Sequence, residues 1–127
     1  MKTSNLQFTD PHIKKIDFRI GEEVVNSSIP ISIGIEDNIN PRSKEASIDL
    51  NLVIGEISAD NEITTSFYFN GTISANFRWK EDIEDLDGTL KVSGGTVLLS
   101  YMRPILANLT MQAGIKPLNL PFVNFTE

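Results

Sequence analysis

The apolar residues of this chain recur at every second position over its first two thirds and at helical spacing after that. From Ile63 the odd positions read Ile63, Thr65, Phe67, Phe69, Gly71, Ile73, Ala75, Phe77 and Trp79. The even positions read Thr64, Ser66, Tyr68, Asn70, Thr72, Ser74, Asn76 and Arg78. A period of two places the first set on one face of a strand and the second on the other. At about 3.3 Å per residue this strand would run roughly 55 Å, so it is expected to bend, with Gly71 as the place. Its aromatic face has to be covered.

Three shorter runs precede it. After a short polar lead, Ile13 to Ile20 alternates through Ile16, Phe18 and Ile20. Ile29, Ile31, Ile33 and Ile35 alternate with Pro30, Ser32, Gly34 and Glu36; Pro30 cannot donate to a ladder, so this strand lies at an edge or starts after the proline. Asp37 to Arg42, with Asn38, Asn40 and Pro41, reads as a turn. Ile48, Leu50, Leu52 and Ile54 then face one way, and Ser47, Asp49 and Asn51 the other. Ala59, Asp60 and Asn61 connect that strand to the long one as an antiparallel hairpin. Together the four strands predict an antiparallel meander with one apolar face.

The pattern changes after Trp79. Lys80 to Asp87 is acidic and leads into Gly88, which predicts a crossover loop. Thr96 is placed to cap a helix reaching about Ala113, with Val97, Leu98, Tyr101, Met102, Ile105 and Leu109 at helical spacing and Gly114 as its stop. Pro104 removes the hydrogen bond to the Ser100 carbonyl and predicts a kink. Ile115 to Glu127 carries Pro117 and Pro121 without helical period and reads as an extended segment packed on the protein. The expected class is α+β, a single domain over residues 1–127 with a four-stranded antiparallel sheet, a long kinked helix and an extended tail. A helix is about 10 Å wide, whereas four strands about 4.8 Å apart present a face closer to twice that. Apolar surface is therefore left over, and such surface marks self-association, a client groove or both.

Composition narrows the function classes. The chain has 127 residues, 40% apolar and 22% charged, which suits one ordinary globular domain. No apolar run approaches the ~20 residues that span a bilayer, and Met1 to Asn5 lacks a signal-peptide core, so a cytoplasmic location without membrane insertion is expected. The absence of cysteine excludes disulfides, thiolate zinc sites and thiol catalysis. A net charge of −6, without a basic strip, opposes nucleic-acid binding.

The candidate chemistry is sparse. His12 is the only histidine, so neither a Ser/His/Asp constellation nor a His-rich metal site is read from this chain. The acidic run fails as a calcium loop: setting Gly88 at the loop glycine puts Ile83 at the first ligand position and Gly94 at the last. Gly94, Gly95 and Thr96 read either as an anion site on free backbone amides or as simple flexibility. No cofactor, metal or enzymatic reaction is predicted.

The words Leu98-Leu99-Ser100-Tyr101-Met102-Arg103 and, after a glycine, Lys116-Pro117-Leu118-Asn119-Leu120-Pro121-Phe122-Val123-Asn124-Phe125 resemble the C-terminal half of SecB, the bacterial protein-export chaperone. Tyr101 and Arg103 match a word in that family's long helix; Leu118, Asn119, Leu120, Val123, Asn124 and Phe125 match its proline-rich connection. The resemblance implies a SecB-like sheet with helices on one side, assembly as a dimer or dimer of dimers, and a cytosolic holdase for unfolded polypeptides. Phe67, Phe69, Phe77, Trp79, Leu98, Tyr101, Met102 and Ile105 would then line either core or groove. The acidic positions with which that family docks the translocase motor fall near Lys15, Arg19 and Ser66, where the charge opposes such a contact. A client set linked to a toxin–antitoxin pair is one reading of the role. A SecB-fold oligomeric scaffold without holdase or export activity is the alternative.

Overall fold

The structure, a computed structural model, describes residues 6–21 and 29–114. Strands β1 (Gln7–Ile20), β2 (Ile31–Asn40), β3 (Glu45–Ile54) and β4 (Phe67–Arg78) form one antiparallel sheet, and among the described residues one helix, α1 (Leu86–Gln112), comes after them. The sheet order is β1-β4-β3-β2. Strands β2, β3 and β4 run as a meander, and β1 lies along the far side of β4. The expected tail, with Leu118, Asn119, Leu120, Val123, Asn124 and Phe125, falls outside the described residues.

Alternation in β3 and β4 builds the core. Ala46, Ile48, Leu50, Leu52 and Ile54 from β3 face the same side as Phe67, Phe69, Ile73, Ala75 and Phe77 from β4, and all are buried. Leu90, Leu98, Leu99, Met102 and Leu106 of α1 close over them. Burying a Leu, Ile or Phe side chain contributes about 1.5–3 kcal/mol, so this central layer is the main source of stability. The helix crosses β3 and β4 and reaches β2.

Several sequence readings are corrected. The long strand does not run unbroken from Ile63: Ile63 makes an isolated bridge to Ile57, and β4 begins at Phe67. Residues 56–64 form a small arm that turns at Asn61, whose φ is 62°, and is held by Ser58 N–H to the Glu62 carbonyl at 2.8 Å. Gly71 pairs with Ile16 on one side and Leu52 on the other; its lack of a side chain makes room for the Phe69 ring, which would lie 2.6 Å from an added Cβ. Asp37 to Asn40 belong to β2, pairing with Ile48 to Glu45, so the turn is confined to residues 41–44.

The helix starts ten residues before Thr96. Asp85, with φ 48° and no side-chain cap, accepts the Thr89 N–H at 2.9 Å, and the run continues through Gly94 and Gly95. Both glycines are buried. An added Cβ on Gly94 would meet Cγ2 of Ile48 at 3.1 Å, so the glycine marks where α1 rides close over β3, and neither an anion site nor a hinge. Thr96 sits inside the helix, its hydroxyl donating to the Val92 carbonyl at 2.7 Å. The helix passes through Pro104 and stops at Gly114, whose φ is 77°.

Strand β1 begins at Gln7, well before Ile13, because two register shifts hide its pattern. One lies between Thr9 and His12 and one between Ile13 and Lys15. Each shift adds a residue and reverses the parity of the residues beyond it. Phe8, Ile13 and Ile16 are separated by odd spacings in sequence, yet they pair with Phe77, Ile73 and Gly71 and so share the apolar face. Asp10, with φ 56°, takes up the first shift.

Candidate functional site

The helix-side face of β1 is apolar along its length, but α1 does not lie over it. Phe8 is 38% exposed, Ile13 45%, Ile16 40% and Ile20 55%. Their cross-strand partners Phe77, Ile73 and Phe67 on β4 are buried. Among the described residues the cover runs out between β4 and β1, leaving an apolar shelf that begins beside the helix and ends at the sheet edge. Tyr101 of α1, 42% exposed, overhangs one end and meets Phe8 edge-to-face with ring centroids 6.0 Å apart. Phe18, half-buried, lies with its ring 6.0 Å from that of Phe67 and anchors the other end.

The same strand is an edge. β1 pairs with β4 alone among the described strands, so its outer backbone groups form a free ladder beside the apolar side chains. Extended polypeptide binds such a combination through main-chain hydrogen bonds to the edge and apolar side chains on the shelf. The two bulges and the charges of Lys14, Lys15, Asp17 and Arg19 interrupt the edge, which limits indiscriminate pairing.

The residues expected to line core or groove divide unevenly. Phe67, Phe69, Phe77, Trp79, Leu98 and Met102 are buried in the core of the chain itself, Ile105 is half-buried, and Tyr101 alone is exposed beside the shelf. Arg103 is half-buried on the helix. Phe8, Ile13, Ile16 and Ile20 were not picked out by the sequence as site residues. The signal available was an excess of apolar residues before Gly21, scrambled by the bulges.

The opposite sheet face is polar, and among the described residues no helix lies over it. Asn51 Nδ2 donates to Asn70 Oδ1 and Thr72 Oγ1, both at 2.9 Å, and Lys14 reaches Asp49 at 2.7 Å. Burial pushes the Asp49 carboxyl up, but hydrogen bonds from Lys14 and Ser74, the Lys14 charge and nearby His12 outweigh it and hold it below the usual carboxylate range. His12 and Asp49 both register with Ser74, which puts the serine between them, and His12 Nδ1 lies 2.7 Å from the Asp10 carbonyl. A hydrolytic triad needs the histidine in the middle. Among the described residues no cluster of three His, Cys, Asp or Glu could hold a metal, and no described helix is long and apolar enough to cross a membrane.

No protein-family model matches the sequence, and no curated protein is detectably similar to it. Among solved structures, the Mycobacterium tuberculosis SecB-like chaperone Rv1957, in complex with a ChAD peptide from the Rv1956 HigA1 antitoxin, superposes with a TM-score of 0.69 at 14% identity, over 94% of this chain and 91% of that one. A protein of unknown function from Streptococcus agalactiae matches with a TM-score of 0.49 at 10% identity, over 92% of this chain and 97% of its own. The four-stranded antiparallel sheet with its single long helix is a SecB-like fold.

Proposed function

We propose that this protein is a SecB-like chaperone, a non-catalytic cytosolic holdase that binds unfolded or partly folded polypeptides on the apolar shelf of β1. The observation that carries the reading is the half-exposed row Phe8, Ile13, Ile16 and Ile20 on an edge strand beside α1. Apolar side chains and free backbone groups side by side match what an unfolded segment offers. The likeness in fold to a SecB-like chaperone bound to a peptide supports it. In this reading the protein works as a dimer or dimer of dimers. Its clients are a narrow set, such as the antitoxin of a toxin–antitoxin pair, and the charge near Lys15, Arg19 and Ser66 opposes docking of the translocase motor.

One observation favours a second reading. The shelf lies on the sheet edge, so a second copy could lay its own β1 against it and consume the apolar surface. The protein would then be a SecB-fold scaffold without holdase activity.

Titration calorimetry with a permanently unfolded polypeptide, on protein of known assembly state, separates the two. Binding at micromolar concentration or tighter, roughly −8 kcal/mol or better, with a negative heat-capacity change is expected for the holdase. A folded oligomer that takes up no polypeptide overturns it and leaves the scaffold.

A further inference from the structure

The sheet face turned away from α1 is divided by charge. Register sets its rows: Lys15 of β1, Thr72 of β4, Asn51 of β3 and Gly34 of β2 lie side by side, and the next row reads His12, Ser74, Asp49 and Glu36. The β1 and β4 half of this face carries Lys15, Arg19 and Arg78 against Asp17, and Lys14 reaches in from the bulge to Asp49 at 2.7 Å. The β2 and β3 half carries Glu36, Glu45 and Asp49 and no cation. Lys15, Arg78, Glu36 and Glu45 are exposed, and none of them enters an ion pair among the described residues. The row of Gly34 is also hollow. A Cβ added there would meet no atom within 4 Å, and Lys14, Lys15, Gly34, Glu36, Asp49 and Asn51 border an open depression of about 610 Å³. β2 pairs with β3 without a register shift, so this mid-strand glycine serves no bulge and fits a close approach from outside.

We propose that this face is self-complementary and stacks on the same face of a second copy, about a two-fold axis parallel to the strands. Such an axis sets β1 over β2 of the second copy and β4 over its β3, and keeps each row over itself. Lys15 then enters the hollow at Gly34 of the second copy, beside Glu36. Arg78 meets Glu45, and His12 and Ser74 lie over Glu36 and Asp49. An axis across the strands would instead lay β1 on β1 and β3 on β3, cations on cations and carboxylates on carboxylates. Stacked sheets lie about 10 Å apart, a gap that a lysine side chain crosses. Four strands about 4.8 Å apart and about ten residues long at about 3.3 Å each give about 630 Å² per copy. The pair would bury roughly 1,300 Å², the lower end for a stable interface. Driven by charge more than by apolar area, the association is weak and sensitive to salt. It uses the face opposite the shelf of β1, so it goes beyond the chaperone reading and can fail without it.

Sedimentation of the full chain over about 5 to 500 μM, at about 0.05 M and about 0.5 M salt, tests the stacking. The expected result is a reversible doubling of mass with concentration at low salt, weakened at least about tenfold at high salt. Gly34→Arg fills the hollow and opposes Lys15 of the second copy, while its open surroundings leave the fold alone. That variant should melt like the parent, keep the parent's affinity for unfolded polypeptide and lose the doubling. Lys15→Glu should lose it too, and Lys15→Glu with Glu36→Lys, which exchanges the two signs, should restore it. A parent whose mass does not rise with concentration at low salt overturns the proposal. So does doubling that survives in Gly34→Arg, which would place the second copy on another surface, or an exchanged pair that fails to associate.

Discussion

Gly94 of α1 stands over Ile48 of β3 so closely that an added Cβ would lie 3.1 Å from the isoleucine Cγ2. This contact sets how near the helix comes to the sheet. Two opposed effects act on Gly94→Ala: alanine favours the helix by about 0.8–1 kcal/mol, and the tight methyl contact offsets that gain. A net change within about 1 kcal/mol is expected. Gly94→Leu has no such compensation, because the side chain must enter a filled core, and should destabilise by about 1–3 kcal/mol. Urea unfolding of the three proteins measures both values; a Gly94→Leu protein as stable as the parent would mean that α1 can lift from β3 freely.

Gly71 and Phe69 give a related expectation on the sheet. A Cβ at Gly71 would sit 2.6 and 2.8 Å from atoms of the Phe69 ring, which is fully buried. The ring must shift within the core to admit the methyl group, so Gly71→Ala should destabilise by about 1–3 kcal/mol although alanine suits a strand no worse than glycine. If Phe69→Leu accompanies it, part of the loss should return, since the smaller side chain clears the site. A double-mutant cycle on unfolding free energy reads this coupling.

How far the fold was legible depends on where the periodicity survives. β3 and β4 alternate without interruption, and the hairpin between them and its apolar face could be read directly. β1 could be read only from Ile13, because the bulges before His12 and before Lys15 reverse parity, and the exposed row Phe8, Ile13, Ile16 and Ile20 lay in that hidden pattern. The helix start was misplaced for a physical reason. Gly94 and Gly95 are stop signals by local propensity, and only the proximity of Ile48 makes glycine fit mid-helix. Asp37 read as a turn residue because an aspartate on the inner face of a strand breaks the alternation rule.

Lys14 and Asp49 join β1 to β3 across the polar face at 2.7 Å, spanning β4. The Asp49 carboxyl is lowered and the Lys14 amine is raised, the latter first by its hydrogen bond to Asp49 and then by that charge. Stability from the pair is therefore present at neutral pH. It is lost at the acid end as pH falls through the depressed pKa of Asp49, and at the alkaline end as pH rises through the raised pKa of Lys14. Asp49→Asn is expected to weaken the protein slightly at neutral pH, less so at high salt, and not at all at pH values below the Asp49 titration. Thermal unfolding against pH in the two proteins gives this comparison, and a constant difference at every pH would assign the effect to Ser74 or to packing instead.

The shelf and the core make opposite demands on substitution, and that contrast tests the proposed function most directly. Ile16 and Ile20 are half-exposed, so replacing either with Asp should cost little stability, about 0.5–1 kcal/mol at positions of this kind. Phe69 is fully buried, and Phe69→Ala should cost about 3–5 kcal/mol. If β1 holds the client, Ile16→Asp with Ile20→Asp should give a folded protein, with parental circular dichroism and a cooperative melt, that binds unfolded polypeptide at least about tenfold more weakly, a change of about 1.4 kcal/mol. Sedimentation of the same variant shows whether the copies also part. Lost client binding with the assembly intact places the client on the shelf. Dissociation with client binding kept places the second copy there, and the client site must then be sought on another surface.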